Sequence, residues 1–316
     1  MAEESSTQPS RPRVSPAKLH KKNVKFTAEN GKEIELEAVY EDSMSDGSQV
    51  GTVVGFHGSP GSHNDFKYIR EKFDQMNIRF IGVNYPGFNH TETYDGQHHG
   101  NVERQNYSNA LLNELGISGR IIFMGHSRGC ENALQTASGR EAYGLVLVNP
   151  TGLRLHKGLR PIYRLEALNS LYNILPSFMG NAMMLGIYKT IGFKVTTGEE
   201  AIHALRSALT LSLEEQIEHI EKTNEKKIKK LVVFGGNDHL VEEEIVFEKL
   251  EKHEGLKHFD FGENVSEEGK QTVLDAFTGG EHNGASVFVK KDTHFQNKSQ
   301  ADLIASVCQT MLSSSA

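Results

Sequence analysis

Cysteine is scarce in this sequence of 316 residues: only Cys130 and Cys308 occur. Two thiols make no disulfide framework, and their rarity suits a reducing compartment. Cys130 falls in a helix-like stretch and reads as a packed thiol. Long apolar runs are missing too. No stretch approaches the roughly 18 consecutive apolar residues that a spanning helix needs, so no integral membrane segment is expected. Positive charge is not in excess. A net charge of -7 gives a nucleic-acid partner no electrostatic support. Residues 1–22 lack an apolar core and are rich in Ser, Pro, Lys and Arg, so they read as a disordered tail, not a secretory signal. Glu3 and Glu4 argue against a mitochondrial transit peptide, and the terminal Ser-Ser-Ala is not a peroxisomal signal. The expected location is the cytoplasm. Histidines are frequent, but no pair has a metal-site spacing, and neither metal nor cofactor is expected.

What is present is an alternation of buried strands and amphipathic helices. Apolar runs at residues 51–56, 79–85, 121–124, 145–148, 231–234 and 286–289 are separated mainly by helical patterns, after a hairpin signal (Glu29-Asn30-Gly31) between strands at 24–27 and 34–40. This predicts an α/β fold, a mostly parallel sheet flanked by helices. From residue 151 the rhythm changes. Residues 151–228 hold four helical patterns and no buried strand. One opens at Pro161, and one has Met179, Met183, Ile187 and Ile191 four residues apart. A third carries Ile202, Leu205 and Leu209, and a fourth is opened by a capping box at Ser212-Leu213-Glu214-Glu215. The stretch reads as an inserted helical cap, with 23–150 and 229–316 as the core. Residues 253–284, polar and glycine-containing, receive no role.

The chemistry concentrates at Gly125-His126-Ser127-Arg128-Gly129, a G-x-S-x-G pattern between a strand and a helix. Such a turn lifts a serine hydroxyl clear of the sheet and tolerates only small residues two positions to either side. A serine needs a base, and the base an acid that fixes its tautomer. Ligands of open α/β sheets lie at the carboxyl ends of the strands. Asp238 follows the strand ending at Phe234, and His294 follows the last strand. The order Ser127, Asp238, His294 is that of the α/β hydrolases. Oxyanion donors are expected from the main-chain N–H groups of Arg128 and of Ser59, in the loop His57-Gly58-Ser59-Pro60-Gly61; Pro60 has none to give. His57, Met183 and Met184 are expected to line a substrate pocket.

On these motifs, and on the HGSPG and YPGF loops, the chain from about residue 24 onward resembles the alpha/beta-hydrolase superfamily with a helical cap. The stretches GTVVGFHGSPGSHNDFKYIR and NIRFIGVNYPGF are similar to an uncharacterised, mainly nematode group of these hydrolases. The resemblance implies Ser127 as nucleophile, Asp238 as acid, His294 as base and a pocket between sheet and cap. Epoxide hydrolases and haloalkane dehalogenases carry aspartate at the nucleophile position; serine here disfavours those activities. The reading is a metal-independent serine hydrolase acting on an ester or thioester of a small-molecule, lipophilic acyl group. Amide, peptide or C–C bond hydrolysis is the alternative within the fold, and a non-catalytic ligand-binding protein the alternative outside it.

Overall fold

The computed structural model describes residues 15–280 and 282–313. Nine strands form one sheet in the order β1-β2-β4-β3-β5-β6-β7-β9-β8. These are β1 (Leu19–Thr27), β2 (Glu33–Asp42), β3 (Thr52–Phe56), β4 (Arg79–Val83), β5 (Ile121–His126), β6 (Gly144–Val148), β7 (Lys229–Gly235), β8 (Leu256–Phe261) and β9 (Gly284–Val289). Pairing is antiparallel for β1 with β2 and β2 with β4, and parallel for the rest.

The helices flanking the sheet are α1 (Lys67–Gln75), α2 (Asn101–Glu114), α3 (Gly129–Gly139), α8 (Glu243–Leu250), α9 (Glu267–Asp275), α10 (Gln296–Ser299) and α11 (Ala301–Ser313). Between β6 and β7 lie α4 (Ile162–Ile174), α5 (Ser177–Thr190), α6 (Gly198–Leu209) and α7 (Gln216–Glu225), with no strand among them.

The central strands are buried on both faces, which is why they read as continuous apolar runs rather than alternating ones. The sheet separates two apolar layers. Val54, Phe56 and Phe123 belong to one layer; Val53, Ile122 and Met124 face the other. Alternate residues of a strand point to opposite faces, and full burial of each such side chain contributes about 1.5–3 kcal/mol.

Three details differ from the sequence reading. Strand β1 starts at Leu19, because residues 19–22 pair with residues 38–41 of β2; the expected tail therefore loses its last four residues to the sheet. Its residues 1–14 lie outside the described residues. The polar stretch 253–284 supplies edge strand β8, paired in parallel with β9, and helix α9. An edge strand half open to water has no continuous apolar run to announce it. Helix α7 begins at Gln216 without a side-chain cap, so the capping box at Ser212 does not form. Gln216 instead donates to the main-chain oxygens of Gly152 and Leu213, tying the start of α7 to the segment after β6.

Candidate active site

Ser127 lies between β5 and α3 with φ = 53°, a left-handed backbone that costs a non-glycine residue strain. Its N–H donates to Val148 of β6, and its carbonyl accepts from Cys130, so both neighbours hold the turn. The glycines around it are forced by contact. A Cβ at Gly125 would lie 2.5 Å from the Cys130 Cα, and one at Gly129 would lie 2.0 Å from the Phe56 carbonyl oxygen. Small residues at these positions let α3 start directly over β3 and β5.

Asp238 and His294 come from the turns after β7 and β9, the second and third strands from β5 in the sheet. Those turns approach closely: the Asn237 N–H donates to Asp292, and a Cβ at Gly235 would sit 2.4 Å from the Asp292 carbonyl oxygen. His294 Nδ1 lies 2.6 Å from Asp238 Oδ2, and His294 Nε2 lies 2.9 Å from Ser127 Oγ. The three residues, distant in sequence, thus form one hydrogen-bonded chain. The other carboxylate oxygen of Asp238 accepts from the N–H groups of Leu240 and Val241, and Asn149 after β6 donates to Oδ2. Asp292 is occupied elsewhere, accepting from Ser299 and Gln300.

Electrostatics fix the protonation states. Burial disfavours the Asp238 carboxylate, but the His294 hydrogen bond and charge, with the two N–H donors, outweigh it and keep its pKa below the ordinary 3.8. Burial holds the His294 imidazole below its ordinary 6.5, against the pull of Asp238. At neutral pH the ring is an available base beside a hydroxyl, and its Nδ1 hydrogen faces a carboxylate. That arrangement can deprotonate a serine.

A cavity of about 140 Å³ opens beside Ser127, and Ser59, Arg128 and His294 line it with Ser127. Neither the Ser59 nor the Arg128 main-chain N–H has an acceptor among the described residues. The opposite wall is apolar: Leu165 and Leu168 of α4, Ile187 of α5, Leu205 of α6, with Leu159 and Leu211. The wall expected from His57, Met183 and Met184 is supplied by these residues instead. His57 is fully buried behind the loop, its Nδ1 on the Gly58 carbonyl and its Nε2 accepting from the Tyr85 N–H. Burial and the nearby Arg104 charge push its pKa down to about 3. Met184 is fully buried in the core, and Met183 packs against that core. On α5 it is Ile187 and Tyr188 that face the cavity.

One residue at the site escaped the sequence reading, and so did the hydrogen-bond partner of another. His156 lines the cavity with its Nδ1 on the Leu240 carbonyl, 2.8 Å away. Nothing in its sequence context distinguished it from a loop histidine. His126 bridges Asp65 and the main chain of His294 through its two ring nitrogens. Its signal was available, since it lies next to Ser127, but Asp65 could be matched to it only by the fold.

Comparison with known proteins bears on the family and the fold. The model of a family described as alpha/beta hydrolase of unknown function (DUF1057) matches residues 16–313. Uncharacterized protein F35H12.5 of Caenorhabditis elegans is 30% identical over 318 residues, covering 92% of this chain and 86% of its own length. Among solved structures, an esterase from Exiguobacterium antarcticum superposes with a TM-score of 0.62 at 16% identity, over 93% of this chain and 100% of its own. A thermophilic esterase from Thermogutta terrifontis gives 0.60 at 17%, over 91% and 96%. The haloalkane dehalogenase DatA from Agrobacterium tumefaciens C58 gives 0.60 at 14%, over 92% and 96%. At such identities the superpositions speak for the fold alone. The sequence match over nearly the whole described chain speaks for more: the protein belongs to the alpha/beta hydrolase family of unknown function DUF1057.

Proposed function

We propose that the protein is a serine hydrolase that cleaves an ester or thioester through an acyl-enzyme. The observation that carries this reading is the continuous hydrogen-bonded chain from Asp238 through His294 to Ser127. Ser127 Oγ attacks the carbonyl carbon as its proton passes to His294 Nε2, and Asp238 stabilises the resulting imidazolium. The N–H groups of Ser59 and Arg128 receive the oxyanion; donors of this kind contribute about 3–4 kcal/mol each in measured cases. The imidazolium then protonates the departing alcohol or thiol. Water, deprotonated by the same ring, attacks the acyl-enzyme and releases the acid and free Ser127.

Residues 151–228 act as a cap whose leucines and isoleucines form the acyl-binding wall. Serine at the nucleophile position argues against the ester intermediate of an aspartate nucleophile. Amide or C–C bond cleavage uses the same machinery, and no residue of the cavity favours it over ester cleavage. A purely ligand-binding role is disfavoured by the hydrogen-bond distances, which leave no member of the trio displaced. Two buried free thiols suit a cytoplasmic setting.

The test is fluorophosphonate labelling together with p-nitrophenyl ester hydrolysis, for the natural protein and Ser127→Ala. Labelling and turnover present in the first and absent in the second support the proposal. An unlabelled protein that melts cooperatively overturns it.

A further inference from the structure

Helix α4 carries the large apolar residues Ile162, Tyr163, Leu165, Leu168, Leu171 and Ile174, and a polar stripe of Glu166, Asn169, Ser170 and Asn173, yet none of its residues is buried. Asn169 and Asn173 of that stripe accept from Arg206 of α6. Leu165 and Leu168 face the cavity, so one side is accounted for. The other side is not. Tyr163 (61% exposed), Leu171 (41%) and Ile174 (79%) fall within about 80° of one another at 100° per residue. The start of α5, three residues after α4 ends, adds Phe178 (74%) and Met179 (47%). With Ile191 (59%), these make six of the ten strongly exposed large apolar side chains among the described residues. Patches of this kind mark interaction surfaces.

Charge says which kind. Residues 151–198 contain six cations (Arg154, Lys157, Arg160, Arg164, Lys189, Lys194) and one carboxylate, Glu166, in a chain whose net charge is -7. Arg154 and Arg160 are paired with Glu248 and Glu242. Arg164, Lys189 and Lys194 are exposed and have no carboxylate within ion-pair range among the described residues. Lys189 also lies within about 20° of Phe178 around α5, eleven residues on. Exposed aromatic and aliphatic side chains flanked by unpaired cations fit an anionic lipid surface: the apolar groups enter the headgroup boundary and the cations meet the phosphates and carboxylates.

We propose that the outer face of α4 and α5 docks on anionic bilayer surfaces. Ile191, just past the end of α5, is both exposed and part of the cavity wall, so the cavity reaches the surface there. The docking does not depend on the chemistry proposed above, and its test contains no substrate.

The experiment is co-sedimentation of the full-length protein with vesicles of phosphatidylcholine alone or with roughly a third phosphatidylserine. Binding is expected to the mixed vesicles and to fall by about tenfold or more in Ile174→Glu/Phe178→Glu, whose side chains touch neither Ser127 nor the cavity. Arg164→Glu/Lys189→Glu should weaken binding to the mixed vesicles and leave the residual binding to phosphatidylcholine unchanged. Thermal melts are run on every variant to confirm that each is folded. Failure of the folded natural protein to bind, or equal binding by the Ile174/Phe178 variant, overturns the proposal. So does light scattering that finds a dimer which this variant dissociates, since the face would then belong to a second copy of the chain.

Discussion

The ring of His126 holds the backbone of His294: Nε2 lies 3.0 Å from the His294 carbonyl oxygen, while Nδ1 lies 3.1 Å from Asp65 Oδ2. Both partners can accept, so the pair favours the charged ring, with hydrogen on both nitrogens. Burial opposes that charge, but the Asp65 hydrogen bond and carboxylate outweigh it and raise the His126 pKa above the ordinary 6.5. The two rings are 5.3 Å apart between centroids, and the cation disfavours a second positive charge on His294.

His126→Asn should therefore raise the His294 pKa. The acid limb of the kcat/KM profile, which reports the neutral base, should move to higher pH. Asp65→Asn should move it the same way, because the carboxylate that keeps His126 charged is gone. Profiles of p-nitrophenyl butyrate hydrolysis measure the shift. A limb that stays in place in both variants, with only the plateau lowered, would leave His126 a purely steric support.

Arg128 lines the cavity, where its main-chain N–H is a proposed oxyanion donor. Its side chain pairs with buried Glu131, Nη1 to Oε2 at 3.0 Å, and reaches Asn101 and Ser207. Removing one partner of a buried pair leaves an uncompensated charge, at a cost of about 3–5 kcal/mol. Arg128→Met should lower unfolding stability by about that much in urea titrations, while Arg128→Met/Glu131→Gln should recover most of it. Because the N–H is retained, kcat/KM of the folded double variant should fall far less than in Ser127→Ala.

The trio, its chain order and the strand-end placements were legible because the turn after each buried strand is short and chemically distinctive. Gly125 and Gly129 announce contacts that any Cβ would break. The pocket wall was not legible. Met183 and Met184 lie in the right helix, but a periodic pattern does not say which face meets a cavity when both faces are apolar, and Ile187 and Tyr188 took that place. The same ambiguity hid the outer stripe of α4. Strand β8 was missed for a related reason: its solvent-facing residues (Lys257, His258, Asp260) dilute the apolar signal that central strands display in full.

Several histidines are buried without charge. Burial, with nearby Arg104 for His57, pushes His57 to about 3; burial pushes His63 and His203 to about 4, and drives His99 and His253 well below 6.5. The unfolded chain takes up these protons as pH falls through 6.5; the folded chain resists until far lower. Folding stability should thus fall on acidification below pH 6.5, on the order of 1 kcal/mol per pH unit for each such ring, while lying on a plateau with respect to these rings above it. Urea midpoints at pH 7.5 and 5.5 test this, roughly one unit to either side of the ordinary histidine value. A midpoint that is unchanged or higher at the lower pH would contradict it.

Cavity size sets the last expectation. At about 140 Å³ the space beside Ser127 compares with a cavity of about 150 Å³ that holds benzene, room for an acyl chain of about four carbons. Among p-nitrophenyl esters, kcat/KM should rise from acetate to butyrate, by up to about fourfold for each methylene buried. It should fall again by decanoate, whose chain has no further apolar wall to meet. Leu168 projects from α4 into this space and is only partly buried, so Leu168→Ala enlarges the cavity at little cost to the core. The optimum should move toward hexanoate or octanoate in that variant, with acetate turnover little changed. If the natural protein prefers decanoate outright, the chain must leave through the mouth beside Ile191, and Ile191→Glu rather than Leu168→Ala should then reset the preference.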